Sequence, residues 1–237
     1  MSTPVIFLHA FPYSPAMWEE QVKSVGDRPA LVPDILGLET LEAAAAQVLL
    51  EMDDRGWEKA VFVGLSMGGY VMFRLWNLQP ERVAAMLLAD TRATPDTPEG
   101  RARRHETAAK IEAGGMAAFV PGAIESNLGQ TTKTARLELL EHVRQTLLHA
   151  DPHKTVISLR ALATRPDSLP LLPSISVPTL VVVGDEDTLT PPSDAWQMAA
   201  AIPRSQLVVV PRAGHMSNLE NPSVFNAALL GFLAGLG

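Results

Sequence analysis

Short apolar runs alternate with amphipathic stretches along most of the chain. Val5 to Leu8, Ala30 to Val32, Ala60 to Val63, Val83 to Ala89, Thr179 to Val183 and Gln206 to Val210 are nearly continuous in Val, Leu, Ile, Phe, Met and Ala. They are too short for core helices, so each predicts a strand covered on both faces. Between them, Ser14 to Val25, Leu41 to Arg55, Tyr70 to Leu78, Pro192 to Ala201 and Ser223 to Leu233 carry apolar residues at helical spacing. Strands alternating with helices imply right-handed crossovers, hence an α/β fold with a mostly parallel sheet of about six strands and helices on both faces.

The alternation fails once. From Thr91 to Pro178 the pattern is helical only, over Glu99 to Glu112, Gly115 to Val120, Thr134 to Ala150 and Pro152 to Thr164. Gly114-Gly115, Pro121-Gly122 and Pro166 punctuate it. A stretch this long far exceeds an ordinary connection between strands. It predicts a helical cap at 91–178, inserted between a first core segment, 1–90, and a second, 179–237.

In open parallel sheets ligands bind outside the carboxyl ends of the strands. The residues that follow the predicted strands are His9-Ala10-Phe11-Pro12, Ser66, Asp90, Gly184-Asp185-Glu186-Asp187 and Gly214-His215. A serine, several acids and a histidine thus fall at one edge of the sheet. Ser66 lies in Gly64-Leu65-Ser66-Met67-Gly68, between a strand and a helix, which is the setting of a nucleophile elbow. A serine hydroxyl needs an adjacent base to attack at neutral pH. His215 can take its proton, and a carboxylate on the other ring nitrogen would fix the tautomer and stabilise the imidazolium. Asp187 is favoured as that acid, because Asp185 directly follows the strand-ending glycine and suits a local turn. Asp90, after a neighbouring strand, stays open as its rival. His9 orders the loop after the first strand, and His105, His142, His149 and His153 belong to the cap surface.

A tetrahedral intermediate needs donors for its oxyanion, and losing one costs about 3–4 kcal/mol. The backbone N–H of Met67, at the start of the helix after the elbow, and that of Phe11, in the loop after the first strand, are the candidates. Met116, Phe119 and Met216 are expected to line a substrate pocket between elbow and cap. Arg92, just past a strand end at the cap hinge, is expected there too. It either pairs with Asp90 or Asp96 to fasten the cap, the favoured role, or reads a substrate carboxylate.

Composition narrows the functional classes. The chain has 237 residues, 47% of them apolar and 19% charged, enough for one sizeable core. A net charge of −7 disfavours nucleic acid and anionic membrane surfaces as partners. With no cysteine, thiolate metal sites and a cysteine nucleophile are excluded. The expectation is a chain with no bound metal or cofactor, no signal peptide and no membrane span, hence cytoplasmic.

Four motifs in order resemble the α/β-hydrolase fold, and in particular its small bacterial esterases, 3-oxoadipate enol-lactonases and haloperoxidase-like proteins. They are Leu8-His9-Ala10-Phe11-Pro12 with Met17-Trp18, then Gly64-Leu65-Ser66-Met67-Gly68-Gly69, then Gly184-Asp185-Glu186-Asp187 with Thr190-Pro191-Pro192, and finally Gly214-His215 with Glu220-Asn221-Pro222. The resemblance implies Ser66, Asp187 and His215 as a triad, with Phe11 and Met67 as oxyanion donors. It also implies a small-molecule ester substrate cleaved through an acyl-serine. A lactonase uses the same residues, and perhydrolase or haloperoxidase-like activity needs only peroxide in place of water. A C–C bond hydrolase is a further relative, and a ligand-binding protein without turnover is the alternative outside enzymes. Two features depart from the family: Ala10 replaces its usual glycine, and the first strand begins at about residue 5, which predicts a shortened sheet.

Overall fold

A computed structural model describes residues 2–236 of the chain. Six strands, β1 (Val5–Leu8), β2 (Ala30–Leu31), β3 (Ala60–Leu65), β4 (Val83–Ala89), β5 (Thr179–Gly184) and β6 (Ser205–Val210), form one sheet in the order β2-β1-β3-β4-β5-β6. Every neighbouring pair is parallel. The order reverses at β1, next to the edge strand β2, so one strand lies on one side of it and four on the other. All carboxyl ends therefore share one edge.

Side chains of a strand alternate between its faces, and here both faces are covered. Ile6, Leu8, Phe62, Met86, Leu88, Val181 and Val183 belong to one apolar cluster, with helices α2 (Leu41–Asp53), α3 (Met67–Leu78) and α8 (Pro192–Ala201). Val5, Phe7, Val61, Val63, Leu87 and Val182 belong to the other, with Trp18 and with Phe225, Leu229 and Leu233 of α10 (Pro222–Ala234). On that face the Trp18 ring lies 5.4 Å from Phe7 and 5.9 Å from Phe225, centroid to centroid. Continuous apolar strands are the signature of this two-sided burial.

Several boundaries differ from the sequence reading. The predicted helix from Ser14 begins as a 3-10 turn at Pro15–Trp18 and becomes α1 (Glu19–Ser24). The C-terminal helix is preceded by a separate short one, α9 (Ser217–Glu220), because Asn221 leaves helical angles and caps α10 by accepting the Val224 N–H. Between β4 and β5 stand α4 (Pro98–Asn127), α5 (Gln130–Ala135), α6 (Leu137–Leu148) and α7 (Pro152–Ala163). Gly115, at φ 66°, kinks α4 into two helical stretches, whereas Pro121 sits inside the second without ending it. Arg136 separates α5 from α6, and its guanidinium donates to the Glu220 carbonyl. No helix among the described residues is long and apolar enough to cross a membrane.

Candidate active site

Ser66 joins β3 to α3 at φ 54° and ψ −110°, a region costly for a residue with a Cβ. The surroundings hold it there: its N–H donates to the Ala89 carbonyl at 3.0 Å, and its carbonyl accepts from the Thr91 hydroxyl at 2.9 Å. The glycines of the motif are explained by contact. A Cβ on Gly68 would run into the Leu8 carbonyl at the end of β1, and one on Gly64 would meet the backbone of Gly68 at 2.6 Å. The elbow is thereby pressed against the strand that leads to Phe11. Ala10 is fully buried with ordinary φ, and its N–H points to Met17 Sδ at 3.2 Å, so its Cβ is accommodated.

At the end of β5, the Asp187 carboxylate accepts from the Leu189 N–H (2.8 Å) and the Thr190 N–H (3.0 Å) through Oδ1. Its Oδ2 accepts from the Thr190 hydroxyl (2.7 Å) and lies 2.9 Å from Nδ1 of His215. Burial pushes the Asp187 carboxyl up, but the neighbouring His215 ring and these hydrogen bonds outweigh it and hold it below its usual range. For His215 the balance has the same form. Burial alone would lower the imidazole, yet the Asp187 carboxylate raises it further, and the ring sits above its ordinary value. Nδ1 engaged by Asp187 leaves Nε2 as the nitrogen free to act as a base.

Ser66, His215 and Phe11 line one cavity of about 780 Å³, roofed by residues of α4 and by Leu159 and Leu162 of α7. The Phe119 ring also lines it and meets Phe11 edge to face, 5.9 Å between centroids. Met67 N–H is the first amide of α3 and has no carbonyl within the helix to donate to. Arg92 lines the cavity as expected of a pocket residue, and also approaches Asp96 (3.8 Å) and Asp194 (4.0 Å). Two expected pocket residues lie elsewhere. Met216 is fully buried in the core on the α10 face of the sheet, and Met116 packs with Ala108, Ile111, Val156 and Leu159 between α4 and α7.

Asp90 does not touch His215. Its Oδ1 accepts from the Gly184 N–H at 2.8 Å, and its Oδ2 accepts from the Ser217 hydroxyl. Burial, reinforced by the Asp187 charge, pushes its carboxyl well above the usual range. His9 also stands apart: Nε2 accepts from the Ile35 N–H at 3.0 Å and Nδ1 meets the Ala10 carbonyl at 3.0 Å. It orders the first loop and offers nothing to the cavity. His105, His142, His149 and His153 are exposed.

Three groups around the cavity escaped the sequence reading. Thr190 bridges Asp187 and His215, its Oγ1 standing 3.2 Å from Nδ1. Glu220 is buried behind the His215 loop. Arg103, Arg104 and Lys110 join Arg92 on the cavity lining. Thr190 and Glu220 stand inside the family motifs, so a signal was there. Arg103 and Arg104 belong to a basic run, Arg101-Ala102-Arg103-Arg104 followed by Glu106, that reads from the sequence as a solvated helix face, and only the folding of α4 brings them to the cavity.

The chain is 28% identical to 3-oxoadipate enol-lactonase 1 of Acinetobacter baylyi, over 98% of its length and 89% of the relative's. Its fold superposes on a thermophilic esterase of Thermogutta terrifontis, solved with malate bound, at a TM-score of 0.95 and 35% identity, covering 100% of this chain and 91% of the esterase. An enol-lactonase of Burkholderia xenovorans superposes at 0.89 and 25% identity, covering 99% and 92%. A family model for alpha/beta hydrolases matches residues 5–228. With that match spanning all six strands and the loops at their carboxyl ends, the chain belongs to the alpha/beta hydrolase family.

Proposed function

We propose that the protein is a serine hydrolase of carboxylic esters, with Ser66, His215 and Asp187 as its catalytic triad. The observation that carries this reading is that His215 stands between a buried carboxylate, 2.9 Å from Nδ1, and a cavity that also receives Ser66. His215 Nε2 takes the Ser66 proton as Oγ attacks the ester carbonyl. The amides of Met67 and Phe11 receive the negative charge that develops on the carbonyl oxygen. Collapse of the intermediate breaks the bond to the alcohol, which leaves with the proton from His215, and the acyl group stays on Ser66. Water, deprotonated by His215, then attacks the acyl-serine, and the proton returns to Ser66 as the acid is released. Asp187 keeps the ring in the productive tautomer throughout and stabilises the imidazolium.

A second reading, hydrolysis of a lactone that carries an acidic group, is favoured by the cavity lining. Arg92, Arg103, Arg104 and Lys110 all reach it, and the acid among them, Asp96, is committed to Arg104 and to Arg165 at 2.6 Å. The Arg92 side chain keeps 26% of its surface exposed on that lining, and a carboxylate on the substrate would pair with its guanidinium. The enol-lactonase relatives agree with such a substrate. A panel of p-nitrophenyl esters of increasing acyl length, beside lactones with and without a carboxylate, tests both readings. Hydrolysis of at least one class is expected, with the acidic members turned over best. Absence of hydrolysis on the whole panel would contradict the enzymatic reading.

A further inference from the structure

Two carboxylates that play no part in the proton transfers tie the His215 and Asp187 loops to one point of the helical block. Glu220, five residues beyond the histidine, is 3% exposed. Its Oε1 accepts from the N–H of Gly214 (2.9 Å) and of Met216 (3.2 Å), the amides on either side of His215. Its Oε2 accepts from the N–H of Gly129 (2.8 Å), at the junction of α4 and α5. Glu186, adjacent to Asp187, accepts from the Thr131 N–H at 2.7 Å and from the Thr131 hydroxyl. Residues 129–131 are thus held by one carboxylate from each loop.

The backbones meet with no room to spare. A Cβ on Gly129 would stand 2.5 Å from Glu186 Oε2 and 2.7 Å from the Gly214 nitrogen, and a Cβ on Gly214 would press on Gly129 in return. Two residues before Gly129, Asn127 lines the substrate cavity. A continuous path of contacts therefore runs from the cavity wall through Gly129 to the two amides that flank His215.

We infer that Glu220 is a positioning residue for His215, and that Glu186 and Glu220 together make the docking of residues 129–131 a condition for aligning His215 against Asp187. The inference rests on the proposed triad. A carboxylate suits the role because it accepts from three amides at once, whereas a glutamine would turn an NH2 group toward an N–H that needs an acceptor. Burial raises the Glu220 carboxyl against the pull of those amides, so the buried acid is retained by its hydrogen bonds and not by exposure to water.

The test separates alignment from catalysis by reading the Asp187–His215 hydrogen bond directly, as the low-field proton resonance of His215 Nδ1–H. Gly129→Ala forces the two backbones apart without altering any charge near the ring. In this variant the resonance is expected to broaden or vanish, and kcat on the best ester to fall at least tenfold with KM changed less than threefold. Glu220→Gln, which keeps the volume, is expected to behave alike and serves where Gly129→Ala fails to fold. A folded variant that keeps both the resonance and the wild-type kcat overturns the inference. A lost resonance in a protein whose wild type has no hydrolytic activity would leave the alignment standing and overturn the proposed function instead.

Discussion

Asp187 Oδ2 lies 2.9 Å from Nδ1 of His215, while both oxygens of Asp90, the rival acid, are taken by the Gly184 amide and the Ser217 hydroxyl. Asp187→Asn should therefore cost about 10³–10⁴ in kcat, the scale seen when a triad acid loses its charge and fixes the wrong tautomer. Asp90→Asn should cost less than about tenfold, because an amide can replace a carboxyl that burial already drives toward its neutral form. Steady-state kinetics of the two variants on one ester decides between them.

The pH profile follows from His215. Its imidazole must be neutral to act as base, and in the folded protein it is held above the ordinary histidine value near about 6.5. The acid limb of kcat/KM is expected above pH ~6.5. The same shift makes a stabilising contribution that is complete below the unfolded value and is lost as pH rises through the folded one. Asp187, held low, contributes stability above about pH 3.9 that is lost as pH falls through its folded value. Asp187→Asn should move the acid limb downward, because the charge that raises the ring is gone.

Arg92 gives a specificity prediction. Its partly exposed guanidinium and its place on the cavity lining suit an anionic group on the substrate. A hydrogen bond to a charged group is worth about 1.5–3 kcal/mol. Arg92→Ala should accordingly lower kcat/KM on carboxylate-bearing esters or lactones by roughly 10–100-fold. Neutral esters of the same length should change less than about threefold. Equal losses on both would assign Arg92 to fastening α4 through Asp96 and Asp194 instead.

Gly68 probes the elbow. A Cβ there collides with the Leu8 carbonyl, which is backbone and cannot swing aside. Gly68→Ala should destabilise the protein by about 1–3 kcal/mol, in the range of overpacking. It should also reduce turnover, because the strained angles of Ser66 depend on that contact. Thermal melts and ester kinetics on the same sample measure both.

The sheet was legible, and so were the residues that gather at its carboxyl edge, because each depends on local signals. Val83 to Ala89 and Pro192 to Ala201 are bounded by residues that end the element on both sides, and their limits match the structure. Ser66 was marked by the glycines that close packing requires. The acid needed more: Asp90 and Asp187 both follow strands, and only the folded structure sets one against Ser217 and the other against His215. Glu220 stood inside a recognisable motif, but its tie to the helical block was hidden, because its amide partner Gly129 lies 91 residues away. Met216 was misplaced because a position beside His215 says nothing about which side of the loop faces the core.

A serine hydrolase of this design carries the acyl group on Ser66. Intact-protein mass spectrometry after brief mixing with a p-nitrophenyl ester, followed by acid quench, detects that adduct. The wild type should gain one acyl mass, located by digestion to the peptide containing Ser66, and Ser66→Ala should gain none and lose hydrolysis while keeping its fold. Acylation at another residue, or undiminished hydrolysis by Ser66→Ala, would contradict the account.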